Sequence, residues 1–67
     1  MSEEYFKVRL RAQEDEIESL RAMLELARER RNKKLMGKSR KRLETALRLR
    51  EMYLRLINRS ETSDQIA

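Results

Sequence analysis

The sequence predicts an all-α protein: a helical hairpin with helices over about 3–34 and 39–58, self-associating as a coiled coil or four-helix bundle. Three observations predict it. Leu, Arg, Glu, Lys, Ala and Met, all good helix formers, dominate the 67 residues, and strand signals shrink to one Val and three Ile. There is no Pro and one Gly, so only Gly37 offers the chain a permissive backbone point. Apolar residues then recur at helical spacing on both sides of that point. Residues 1–67 form a single domain, with no internal repeat and no low-complexity linker. A chain this short is marginal as a monomer, because it buries only ~60% of its unfolded surface. With no Cys and no His, neither a disulfide nor a structural zinc can staple it, and oligomerisation is the remaining common remedy.

Taken in order, Ser2 is placed to cap the first helix, with Glu3 and Glu4 favourable at its positive end. Phe6, Leu10, Gln13, Ile17, Leu20, Leu24 and Ala27 follow a 4-3-4-3-4-3 spacing, the a/d seam of a coiled coil. We read these seven residues as a homodimer interface. In this register a parallel dimer would oppose Arg9 to Glu14 and Glu16 to Arg21, and Gln13 would fix register at some cost in stability. The other partner open to the seam is the second helix of the same chain. Met23 and Leu26 widen the apolar face and suit that arrangement or a bundle.

Gly37 is the expected C′ residue of the first helix and Ser39 the expected cap of the second. Along the second helix, Leu43, Ala46, Leu47, Leu49, Tyr53, Leu54, Leu56 and Ile57 cover an arc of about 180°. That width suits a helix packed on two neighbours. Arg50 lies inside the arc, so it should pair with an acid of the first helix (Glu14, Asp15, Glu16 or Glu18) or snorkel to water. Glu3–Lys7, Glu29–Lys33, Glu44–Arg48 and Glu51–Arg55 place an acid four residues before a base, the favourable helical order. Residues 60–67 are polar and read as a frayed tail.

Charge is strongly segregated. Residues 1–27 hold four basic and seven acidic side chains, and residues 43–67 hold four of each. Residues 28–42 carry Arg28, Arg30, Arg31, Lys33, Lys34, Lys38, Arg40, Lys41 and Arg42 against Glu29 alone, a net of +8 that exceeds the +5 of the whole chain. Self-repulsion on that scale implies an anionic partner. Lys41, Arg48, Arg55 and Arg59 share one side of the second helix and extend the patch. The candidate nucleic-acid contacts are therefore the nine basic residues of 28–42 together with Arg48 and Arg55. With only Tyr5, Phe6 and Tyr53 as aromatics, all in core stripes, base stacking is disfavoured. Phosphate contacts with little sequence preference are the expected mode, to RNA or DNA. The other reading is a protein assembly factor (scaffold, adaptor or inhibitor) that docks its helical face on a larger protein partner. Leu35 and Met36 would then be either an exposed anchor or a cap on the core beneath the turn.

Asn32 and Arg40 reproduce the Asn-x7-Arg spacing of a bZIP basic region, and Arg30-Arg31-Asn32-Lys33 resembles its start. Leu43, Leu47, Leu54 and Ile57 follow in zipper-like phase. The resemblance implies major-groove recognition by Asn32 and Arg40. The chain departs from the pattern where Leu35, Met36 and Gly37 replace small residues and where Arg50 takes the first d position. The likeness covers about a third of the chain and assigns no family.

Catalysis is not expected. There is no thiol, no imidazole and no glycine-rich phosphate loop, and a helical chain this short has little room for a pocket. No cofactor and no metal are expected. No apolar run reaches ~18 residues and the N-terminus opens acidic, so the expected location is cytoplasmic or nucleoid/nuclear rather than secreted or membrane-bound.

Overall fold

A computed structural model describes residues 2–66, with side chains described for 3–61. The protein is an all-α helical hairpin. α1 spans Ser2–Glu29 and α2 spans Lys33–Ile66, 28 and 34 residues long. The two pack side by side into a rod with principal extents of 54 × 14 × 12 Å. A 34-residue helix is about 51 Å long at 1.5 Å per residue, so α2 sets the length of the rod.

The turn differs from the sequence expectation, and the difference has a physical cause. α1 ends at Glu29 rather than near 34, and α2 begins at Lys33 rather than 39. Gly37 lies inside α2 without a positive φ. The left-handed residue is Arg31, at φ 56°. Two hydrogen bonds close α1 around it: the Arg31 amide donates to the Arg28 carbonyl at 3.1 Å, and the Asn32 amide to the Ala27 carbonyl at 2.9 Å. This 5→2 and 6→1 pair is a Schellman motif with Arg31 at C′. Asn32 then opens α2. Its side-chain Oδ1 accepts the Leu35 amide at 3.1 Å, and its carbonyl accepts the Met36 amide at 3.0 Å. Asn is among the best N-capping residues, and it stands where the seam of α1 has ended at Ala27 and that of α2 has yet to start. Capping strength at Asn32 outweighs the conformational freedom of Gly37. Ser39, expected as a cap, is instead buried within α2.

α1 buries the stripe that its spacing predicts. Ile17, Leu20 and Ala27 are buried, while Phe6, Leu10, Gln13 and Leu24 are half-buried. The partner of that stripe is α2 of the same chain. Ile17, Leu20 and Ala46 form the core cluster, with Leu43 packed against it. Phe6 meets Tyr53 at 6.3 Å between ring centroids. The seven seam residues are thus buried or half-buried inside the hairpin.

On α2 the residues turned to α1 are Met36, Ser39, Leu43, Ala46, Arg50, Tyr53, Ile57 and Ser60, all buried or half-buried. They also repeat at 3-4 spacing. Leu47 and Leu54, placed in the expected arc, are 36% and 41% exposed. α2 continues to Ile66, eight residues past Asn58. The Ser2 side chain, expected as a cap, lies outside the described residues.

Candidate nucleic-acid interface

The Schellman motif and the Asn32 cap leave three residues, 30–32, between the helices. That turn gathers Arg28, Arg30, Arg31, Lys33 and Lys34 around one end of the rod. Lys38, Arg40, Lys41 and Arg42 follow on the first turns of α2. All nine are exposed. Among the described residues, none of the nine forms an ion pair. The expected Glu29–Lys33 pair is absent because the turn falls between its members, and Glu44–Arg48 is not closed either.

The opposite end of the rod is different. There Lys7 Nζ lies 3.0 Å from Glu3 Oε1, and hydrogen bonding and charge from Glu3 hold the ammonium pKa above its ordinary value. Arg9 Nε donates to the Tyr5 hydroxyl at 3.2 Å, with the guanidinium 5.4 Å from the Tyr5 ring centre. That contact raises the Arg9 pKa. Lys7 and Arg9 at the open end are engaged within the molecule, whereas the nine basic side chains around the turn are exposed.

A second basic element runs along α2. Lys41, Arg48, Arg55 and Arg59 are exposed along one side of it, with Lys41, Arg48 and Arg55 about 10.5 Å apart along the axis and Lys41 bordering Ala12, Gln13 and Glu16 of α1. Arg48, Arg55 and Arg59 line a shallow groove with Leu47, Met52 and Leu56. Arg55 is loosely paired with Glu51 at 4.0 Å, one of the expected i,i+4 contacts. Arg59 belongs to this row with Arg48 and Arg55. Its signal in the sequence is its spacing, four residues after Arg55 and in the same phase. The structure thus holds the eleven candidate residues in two connected groups, nine at the turn end and two on the outer side of α2.

Leu35 and Met36 are half-buried beneath the turn, which favours the core-capping alternative over an exposed anchor. Arg50 takes one of its four candidate partners, with Nε 4.0 Å from Glu14 Oε2 and both side chains substantially exposed. A pair so open to water contributes little. Asn32 spends its side-chain oxygen on the α2 cap, and the helix is broken at 30–32. The continuous basic helix with a base-reading Asn that a bZIP region requires is therefore not formed.

Among the described residues, no helix is long and apolar enough to cross a membrane, and no cluster of acidic side chains could hold a metal ion. No family model, curated protein or solved structure matches the chain.

Proposed function

We propose that the protein is a non-enzymatic nucleic-acid-binding hairpin that grips phosphates with its turn end and the outer side of α2. One observation carries the reading: nine exposed basic side chains stand on and beside a three-residue turn and, among the described residues, no acid is paired to any of them. A bare cationic surface of that density is repelled by itself and relieved by a polyanion. Phosphates suit it because Arg and Lys contact them irrespective of base sequence. The smooth α2 row, without an exposed aromatic beside Arg48, Arg55 and Arg59, supports backbone contact rather than stacking.

Titrating the protein with a short duplex DNA and with an RNA hairpin between about 50 and 200 mM salt tests this. Log affinity falls with log salt by ~0.9 per phosphate neutralised on B-DNA. We expect a slope of several units, reduced in Arg30→Gln/Arg31→Gln/Arg40→Gln. Absence of binding at the lowest salt refutes the proposal.

The second reading, a protein assembly factor, is favoured by the large apolar side chains left exposed on α1: Tyr5, Val8, Met23 and Leu26. It predicts a protein complex that tolerates salt and is disrupted by charge at Met23.

A further inference from the structure

The hairpin has two long faces, and they are unequal. Between the helices, one face is lined by Glu14, Ile17, Glu18 and Arg21 of α1 with Leu47 and Arg50 of α2. Charge dominates its α1 side. The other is lined by Ala12, Gln13 and Glu16 of α1 with Lys41, Arg42, Thr45, Ala46 and Leu49 of α2, so its two basic residues stand at its turn-ward end. Two helical turns, or seven residues, return to nearly the same side of a helix. Tyr5 lies seven before Ala12 and Met23 seven after Glu16. Met52 lies seven after Thr45 and Leu56 seven after Leu49. Tyr5, Ala12, Met23, Leu49, Met52 and Leu56 therefore share this second face. Tyr5, Met23 and Met52 are 53%, 39% and 42% exposed.

The rod also exposes too much surface for its mass. A monomer of 8.2 kDa is expected to expose about 4,500 Å², whereas the hairpin exposes 5908 Å². The excess of about 1,400 Å² more than covers the ~800 Å² that each partner gives to a standard interface. One long side of a 54 × 14 Å outline offers roughly 750 Å².

We infer that this face is occupied by a second copy of the chain, lying antiparallel across a two-fold axis. Three features select that occupant and orientation. A parallel pair would set two +8 turn ends side by side, whereas the antiparallel pair sends them to opposite ends of the assembly. Each turn end then lies towards the other chain's open end, where Glu3, Glu4 and Glu61 stand. Arg9 and Glu16 are of opposite charge and seven apart on α1, so a two-fold near Gln13 sets Arg9 against the second copy's Glu16, and the reverse. At that level the same axis brings Leu49 against the second copy's Met52. The interface is self-complementary in both charge and apolar contact. It leaves the turn residues 30–32 free, and it does not depend on what they bind.

Sedimentation equilibrium with electron–electron distance measurement tests the inference. The chain has no Cys, so Arg30→Cys carries a single nitroxide at the turn. We expect twice the 8.2 kDa chain mass and a label separation close to the 54 Å length of the rod. A separation within about 25 Å, the thickness of two stacked helical layers, overturns the orientation. A mass of 8.2 kDa up to millimolar concentration overturns the dimer. Met23→Lys/Met52→Lys should weaken dimerisation at least tenfold, with Leu47→Lys/Leu54→Lys as the control on the other face. The reverse ranking overturns the choice of face. If the lysine pair unfolds the chain, the mass and label separation of the Arg30→Cys protein still decide both points.

Discussion

α1 and α2 present facing seams of the same 3-4 spacing, filled by different chemistry. On α1 the seam is apolar except for Gln13. On α2 the corresponding row includes Ser39, Arg50 and Ser60. Ser39 is 1% exposed, and its hydroxyl has no hydrogen-bond partner. Ala27 and Ala46 are the other small residues buried at the contact, at 0% and 3% exposed. Small side chains let helix axes approach, towards the short end of the usual 8–10 Å. The contrast shows how a seam can depend on size at some positions and on hydrophobicity at others. α1 supplies an apolar row broken once, by Gln13, and α2 interrupts its own large apolar groups with Ser39, Arg50 and Ser60.

The substitution with the largest expected effect attacks the apolar side of this contrast. Leu20→Ala should cost about 2–5 kcal/mol, the range for a buried Leu, and leave the hairpin largely unfolded at 37 °C by circular dichroism. Leu54→Ala, on an exposed side chain of α2, should cost less than about 1 kcal/mol in the same assay. Ser39→Ala probes the polar side and should raise stability by about 1 kcal/mol, because an unpaired buried hydroxyl is removed at nearly constant volume. For a chain this size that is a rise of about 4–8 °C in Tm. A fall would mean that the Ser39 hydroxyl has a partner in solution.

The turn supplies the next two tests. Asn32→Ala should lower stability by about 1 kcal/mol through loss of the cap, whereas Arg31→Gly should raise it by a similar amount by relieving the left-handed backbone. Opposite shifts in Tm at adjacent positions would locate the turn at 30–32. Gly37→Ala separates this turn from the one expected at glycine. No atom lies within 4 Å of a Cβ built there, so alanine should add about 0.5–1 kcal/mol. Were Gly37 the left-handed C′ residue, alanine would destabilise. The smallest effect belongs to Arg50→Met, expected within about 0.5 kcal/mol, since the Glu14 contact is long and wet.

These positions also show what was legible. The α1 stripe could be read residue by residue because six of its seven members are apolar and evenly spaced. The α2 stripe could not, since Ser39, Arg50 and Ser60 do not mark a core in a hydrophobicity pattern. A hydrophobicity pattern therefore makes the apolar arc too wide and takes in Leu47 and Leu54. The sequence points to a turn at Gly37, the more conspicuous signal, although the Asn32 side chain can accept a capping hydrogen bond and glycine has no side chain to do so. The basic cluster does not depend on the position of the turn. Its members lie on either side of the turn wherever the break falls within 28–42, so charge counting placed it at one end. Charge counting does not show that Lys7 and Arg9 near the open end are engaged while the nine around the turn form no ion pair among the described residues.

Asn32 both closes α1, through its amide, and opens α2, through its side chain. No uncommitted backbone residue is left at the tip. An anion arriving there finds the chain already in its final path, and only long side chains must rearrange. Exposed rotamers exchange in picoseconds to nanoseconds, whereas loops that must order take far longer. Encounter and final complex should then be one kinetic step, and a stopped-flow trace should follow a single exponential whose rate rises linearly with ligand concentration.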